Sequence, residues 1–240
     1  MERASKELIS NLKKQKRDKS LLFLDNVKII KDALPHIDVK LILSASDELP
    51  FDASGYKVYR TDVKNIEILS DTISPQGVIL VASMQKKTPT CPKGNFLVID
   101  SLQDPGNVGT LIRTSVACGF SAVFCLDSVR LTNSKLIRSS VGAIFSQNIY
   151  EMTKKEFVDF TKKHNLPLAK CDMNGENVFT KAFDNQIGIV VGNEGQGVSE
   201  EIAKLCSISL SIPMKNGIES LNAGVSGSII MYQIAKVNLI

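Results

Sequence analysis

From residue 96 onward the chain repeats one pattern: a short, wholly apolar run, a polar or glycine-rich break, then apolar residues at helical spacing. The runs are Phe96 to Ile99, Ala122 to Leu126, Ile187 to Val191 and Ile208 to Ile212, and the helical patterns fall at about 106–118, 134–145, 154–164 and 221–236. Runs this short and this apolar suit strands buried on both faces, and the helices between them suit crossover connections. Strand alternating with helix implies an α/β fold with a parallel sheet covered on both sides. In such sheets ligands bind beyond the carboxyl ends of the strands, so the breaks that follow the runs are where chemistry should be sought.

The first third of the chain is organised more loosely. Short apolar runs at Leu21 to Leu24, Leu41 to Leu43, Tyr56 to Tyr59 and Val78 to Val81 alternate with polar breaks, and Asn26 to Leu34 spaces its apolar residues as a helix would. This predicts a small α/β unit. The stretch Ser83 to Asn95 (SMQKKTPTCPKGN) then gathers two prolines, a glycine and three lysines among few apolar residues, the composition of a linker. The division expected is 1–85, a linker at 86–94, and 95–240, within a length that allows one large domain or two of ordinary size. No internal repeat or low-complexity tract interrupts it.

Several classes are excluded early. No apolar run approaches the roughly 18 to 20 residues needed to span a bilayer. The N-terminus, MERASKELISNLKKQKRDKS, has charge without the apolar stretch of a signal peptide, so a cytoplasmic protein is expected. The five cysteines, Cys91, Cys118, Cys125, Cys171 and Cys206, are scattered and never spaced C-x-x-C, which speaks against a disulfide framework or a metal site. Residues 1–20 hold seven Lys/Arg against three Asp/Glu, an excess equal to the formal net charge of +4 of the whole chain. So local an excess suits salt-sensitive association with nucleic acid, the alternative being a solvated, mobile terminus.

Three breaks stand out. After FLVID comes SLQDPGNVGTLIRTSVACG, where Asp104 can cap a helix, Pro105 suits its first turn, and Gly119 can close it in the left-handed conformation. Val108, Leu111, Ile112 and Val116 form its expected buried stripe, and Arg113 points away from it. A guanidinium fork beside strand ends matches a phosphate, although surface arginines are common. The flanking glycines and asparagine let backbone approach a ligand closely.

Following IGIVV, Gly192 to Gly197 (GNEGQG) places three glycines and one carboxylate at a strand end. A dinucleotide loop is the rival, but the order is G-x-x-G-x-G and only 43 residues follow Gly197, too few for the remaining strands of a nucleotide-binding half. A tight turn into a helix at Val198 is the plainer alternative. The third break lies in SISLSIPMKNGIESLNAGVSGSIIMYQIAK: a strand ending at Ile212, Pro213 to stop it, a polar turn, and a helix capped by Ser220 or Asn222. Its plainer reading is capping alone, with Ala223, Gly224, Ser226 and Gly227 serving close helix packing.

Together DPGNVGTLIRT, VVGNEGQGV and SIPMKNGIESLN, in this order and at these separations, closely resemble the three motifs of the SpoU-type (TrmH-like) RNA 2'-O-ribose methyltransferases of the SPOUT superfamily. The resemblance covers about 95–240. It implies that the C-terminal part threads into a deep trefoil knot, that the knot forms a pocket for S-adenosylmethionine, and that a homodimer brings groups of both subunits beside it. Gly192, Ile212 and Leu221, with Asn193, Pro213 and Met214 alongside, match positions that grip the cofactor. Asn107, Arg113, Glu194, Ser220 and Asn222 match the family's polar functional positions. Residues 1–85 resemble more weakly the small ribosomal-protein-like domain that binds substrate in this family, with LDN in LLFLDNVKII where V-E-G is usual. The implied partner is RNA rather than DNA or membrane, with ribosomal RNA and guanosine favoured. Methylation of transfer RNA, or an inactive homologue that only binds RNA, are the alternatives.

Chemistry limits the roles. Arg113 cannot serve as a plain base because guanidinium stays protonated, so it is expected to hold the phosphate beside the target ribose and to stabilise the developing alkoxide. Glu194 is expected to support its loop or to meet the partner subunit's arginine, with an exposed turn carboxylate as the alternative. Neither histidine offers a base: His36 lies in the N-terminal part, and His164 follows Lys162 and Lys163 at an expected helix end, where a cation is favoured.

Overall fold

The computed structural model describes residues 1–18, 21–183, 186–218 and 220–235. Lys19 and Ser20 of the basic segment, Glu219 of the third break and Lys236 at the expected end of the last helix lie outside them. The chain forms two compact units, Met1–Lys86 with Leu131–Ser146, and Lys87–Arg130 with Gln147–Ile240.

The first unit contains β1 (Glu2–Arg3), α1 (Lys6–Asp18), β2 (Leu22–Leu24), α2 (Val27–Ala33), β3 (Ile37–Ser44), β4 (Val58–Arg60), α3 (Val63–Leu69) and β5 (Val78–Met84). Its sheet runs in the order β1-β4-β3-β5-β2. Pairing is parallel on both sides of β4 and antiparallel on both sides of β5. Asn26 caps α2 by accepting from the Ile29 amide at 3.1 Å, the start that the apolar spacing implied. The basic N-terminal segment is not simply a solvated tail. In α1 the residues Ile9 and Leu12 are buried against Leu43, Ile66, Leu69, Ile79 and Val81, and Lys16 Nζ lies 2.8 Å from Asp71 Oδ1. Three apolar residues, Leu8, Ile9 and Leu12, among so many charges gave the sequence little helical signal, and α3 went unseen because seven residues make barely two turns of any periodicity.

The second unit is built on β6 (Phe96–Asp100), β7 (Ala122–Leu126), β8 (Ile149–Met152), β9 (Leu168–Asn177), β10 (Gly188–Val191) and β11 (Ile208–Ser211). Among the described residues they form a six-stranded sheet in the order β11-β9-β10-β6-β7-β8, every pairing parallel. This bears out the α/β expectation. The helices of this unit are α4 (Pro105–Ala117), α7 (Lys154–His164), α8 (Glu200–Ala203) and α9 (Ala223–Ala235). Phe124 anchors one face of the sheet, with its ring centroid 5.7 Å from Phe96, 5.3 Å from Tyr150 and 5.3 Å from Phe157. A reciprocal cap starts α7: Thr153 Oγ1 accepts from Glu156 N at 3.2 Å while Glu156 Oε2 accepts from Thr153 N at 2.7 Å. His164 is the last residue of α7, as expected.

Two corrections concern helix and boundary. The stretch 134–145 is not one helix: α5 (Ser134–Ser140) ends at Val141, which is left-handed at φ 51, Gly142 follows at φ 83, and α6 (Ala143–Ser146) begins anew. Both helices pack with the N-terminal residues, so this part of the chain leaves the second unit between β7 and β8. The stretch expected as a linker is tied down to the second unit. Lys87 Nζ donates to Gln147 O at 3.0 Å, Thr90 Oγ1 lies 2.9 Å from the Tyr150 hydroxyl, and Gln186 Nε2 donates to Pro92 O at 3.0 Å. Among the described residues no helix is long and apolar enough to cross a membrane.

Candidate active site

The three breaks leave the same edge of the sheet, because β6, β10 and β11 run parallel and each break starts where its strand stops. The first opens on Ser101, a non-glycine residue held at φ 60. Asp104 then caps α4 by accepting from the Asn107 amide at 2.9 Å, with Pro105 in the first turn. Val108, Leu111 and Ile112 are buried as expected. Val116 is not: it is 38% exposed, and Ser115 takes the inner position, donating to Ile112 O at 2.8 Å. Val108, Leu111, Ile112 and Ser115 are the i, i+3, i+4, i+7 face of the helix, and Val116 falls one residue beyond it. Arg113 is exposed, and Gly119 closes the helix at φ 70.

In the second break Gly192 follows β10 directly. Asn193 and Gly197 exchange two backbone hydrogen bonds of 2.9 Å, which folds the loop back on itself. The Asn193 side chain fills the turn, its Oδ1 accepting from Gly195 N at 3.0 Å and Gln196 N at 3.2 Å. A Cβ on Gly192 would run into the backbone of Gly197 and Val198, so this close approach admits glycine alone. The helix placed by the plainer reading exists, but as the short α8 beginning at Glu200.

The third break leaves β11 through Ile212, Pro213 and Met214, turns at Asn216 (φ 61) and Gly217 (φ 70), and enters α9. Of the two cap candidates the structure selects Asn222, whose Oδ1 accepts from Val225 N at 3.2 Å. Ser220 and Leu221 are exposed. Small residues then bring α9 onto α4: Gly224 and Gly227 are buried, and the Thr114 and Ser228 hydroxyls lie 3.0 Å apart.

These loops meet through one side chain. Asn107 Nδ2 donates to Glu194 Oε1 at 2.8 Å, and Asn107 Oδ1 accepts from Asn222 Nδ2 at 2.9 Å. The structure thus joins Asn107, Glu194 and Asn222, one residue from each break. Asn193 belongs to the same assembly, since its Nδ2 donates to Ser101 O at 3.1 Å. Arg113 and Ser220 stand exposed outside this hydrogen-bonded chain. Gly192, Ile212, Pro213, Met214 and Leu221 add no charged side chain, so their backbone and apolar surface is what they offer a ligand. Sequence reading missed Asp100, the buried last residue of β6, whose only signal was a carboxylate ending an apolar run. Among the described residues no three His, Cys, Asp or Glu side chains gather as a metal site.

The SpoU rRNA Methylase family matches residues 94–232. The chain is 28% identical over 228 residues, 92% of its own length and 91% of the relative's, to the 23S rRNA (guanosine(2553)-2'-O)-methyltransferase RlmP of Bacillus subtilis (strain 168). The AdoMet-bound rRNA methyltransferase from Sinorhizobium meliloti shares its fold, with a TM-score of 0.86 at 19% identity over 100% of this chain and 98% of that one. A solved RNA 2'-O ribose methyltransferase superposes with a TM-score of 0.82 at 25% identity, covering 100% of both chains.

Proposed function

The chain belongs to the SpoU rRNA Methylase family, and from that premise we propose that it transfers a methyl group from S-adenosylmethionine to a ribose 2'-hydroxyl of RNA. Ribosomal RNA is the favoured substrate and guanosine the favoured nucleotide. The observation that carries this reading is the Asn107 bridge between Glu194 and Asn222, which gathers three separate loops into one polar locus at the strand ends.

S-adenosylmethionine supplies the methyl group on a sulfonium whose positive charge disappears during transfer, so a neutral wall of backbone suits it. Gly192, Asn193, Ile212, Pro213, Met214 and Leu221 provide such a wall, and the bare backbone at Gly192 leaves the close approach it needs. The hydroxyl must lie in line with the S–CH3 bond, so positioning dominates the rate. Arg113 holds the phosphate next to the target ribose and lowers the energy of the developing alkoxide, a task its planar fork performs without losing a proton. Asn107 orients Glu194 and Asn222 on either side, and Ser220 completes the polar group.

Two further features follow from the same reading. The third loop passes through the trefoil knot of this family, and two copies pair. Support for pairing comes from the second unit, where Phe179, Ile229 and Tyr232 line an apolar hollow and Phe179, Val225 and Tyr232 are exposed. The first unit binds RNA: α1 buries Ile9 and Leu12 and so turns Lys6, Lys14 and Arg17 to solvent.

The test is methyl transfer from tritiated S-adenosylmethionine to ribosomal and transfer RNA from cells lacking the gene, followed by digestion to nucleosides. Label in 2'-O-methylguanosine from ribosomal RNA is the expected result. Label in transfer RNA alone overturns the choice of substrate, and no label in any RNA overturns the reading.

A further inference from the structure

Asp100, the last residue of β6, has a side chain with 0% exposure, yet it carries a carboxylate at the edge where the loops gather. Such a group is costly to bury unless its oxygens are paired. Each oxygen is. Oδ2 accepts from the backbone amide of Ser199 at 2.7 Å, while Oδ1 accepts from Ser101 Oγ at 3.0 Å and lies 3.5 Å from Lys154 Nζ. The three partners come from different places: Ser199 ends the second loop, Ser101 opens the first, and Lys154 begins α7. The adjoining residue holds the other end of the second loop, because Ser101 O accepts from Asn193 Nδ2 at 3.1 Å. The loop from Asn193 to Ser199 is therefore fastened at its start by Ser101 and at its end by Asp100.

We propose that Asp100 is a positioning residue for the methyl-donor pocket, fixing the frame of the second loop from beneath without touching the cofactor. The proposal rests on the methyltransferase reading above. Full burial keeps the carboxylate away from any bound ligand, so its effect passes through the groups it holds, the Ser199 amide first among them. An asparagine cannot replace it. With its oxygen toward Ser199, its NH2 can still donate to Ser101 Oγ but faces the Lys154 ammonium; with the amide flipped, NH2 faces the Ser199 N–H, so a donor meets a donor either way.

The test measures S-adenosylmethionine affinity by titration calorimetry and methyl transfer at saturating cofactor. In Asp100→Asn the Kd is expected to rise about tenfold, the loss of one bond to a charged group, with a smaller fall in kcat because Glu194 stays tied to Asn107. Adding Lys154→Met removes the ammonium that the new amide would face, and the Kd is expected to return to within about threefold of wild type. Ser199→Pro supplies an independent variant should Asp100→Asn fail to fold. Ser199 sits at φ −60, which proline adopts, so this change removes the N–H and its Cδ pushes away the Asp100 oxygen that accepted from it, and cofactor binding should weaken by a similar factor or more. Folded variants that bind within about twofold of wild type, or that lose kcat with Kd unchanged, overturn the proposal while the methyltransferase reading stands. A wild-type protein that ignores S-adenosylmethionine overturns both.

Discussion

The side-chain amide of Asn107 donates to Glu194 Oε1 at 2.8 Å, joining residues 87 positions apart in the sequence. Its carbonyl accepts from Asn222 on the other side at 2.9 Å. A carboxylate can only accept and a hydroxyl reaches less far, so a side chain that must donate one way and accept the other is an amide. The bridge sets the orientation of both neighbours.

Asn107→Asp places a second carboxylate against Glu194, and the repulsion displaces both side chains. Single-turnover methyl transfer is expected to slow by about 100-fold, the scale of a misplaced catalytic group. Adding Glu194→Gln restores a donor to the pair, in the reverse direction, and should recover about tenfold of that loss. A double variant no faster than Asn107→Asp alone would show that the bridge does not govern the rate.

Arg113→Lys keeps the positive charge and loses the planar fork. The rate is expected to fall by about tenfold or more with cofactor affinity unchanged, because the fork is what fits a phosphate in two places at once. Methylation at the wild-type rate would rule out the bidentate role.

Much of the candidate site was legible because its residues lie in glycine-rich breaks that directly follow buried runs, as GNEGQG follows IGIVV. What periodicity could not show was their convergence, which depends on strand order. The decisive strand was itself hidden: β9, LAKCDMNGEN, is mostly polar, lies between β10 and β11, and buries only Leu168 and Ala169 fully. Gly175 marks its close pass by β11, since a Cβ there would strike the backbone of Ser209 and Leu210. The break between α5 and α6 was invisible for another reason. Val141 is β-branched and gives no sign in sequence of the left-handed backbone that tertiary packing imposes on it.

The contact of α9 with α4 depends on a missing side chain. A Cβ on Gly227 would come 2.5 Å from Leu111 Cδ2 and 2.9 Å from Val191 Cγ2, and both neighbours are buried. Gly227→Ala is expected to lower stability by about 1–3 kcal/mol, the usual effect of overpacking. Urea unfolding followed by circular dichroism checks this, and an unchanged midpoint would contradict it.

The thiols should divide sharply. Burial, with Cys206 nearby, pushes the Cys171 thiol up to about 12, and burial raises Cys118 and Cys206 to about 11. Cys125 is raised further by burial, and Cys91 is exposed. Since the thiolate is the reactive form, a thiol reagent at pH 8 should modify Cys91 promptly, the half-buried Cys171 and Cys206 slowly, and the buried Cys118 and Cys125 only after unfolding, as peptide mass mapping would show. The same shifts carry a sign: the folded state keeps these protons, so their contribution to stability is complete below the ordinary value of 9.0 and is lost as pH rises from there toward 11. Prompt labelling of a second cysteine in the native protein would contradict the packing.

Titration calorimetry of the purified protein with S-adenosylmethionine and with its demethylated product is the most direct measurement. Saturable binding of both is expected, weakened about tenfold or more by Gly192→Ala, whose Cβ would collide with the backbone of Gly197 and Val198. Absence of binding to either compound, with or without RNA, would contradict the existence of a methyl-donor pocket at these strand ends.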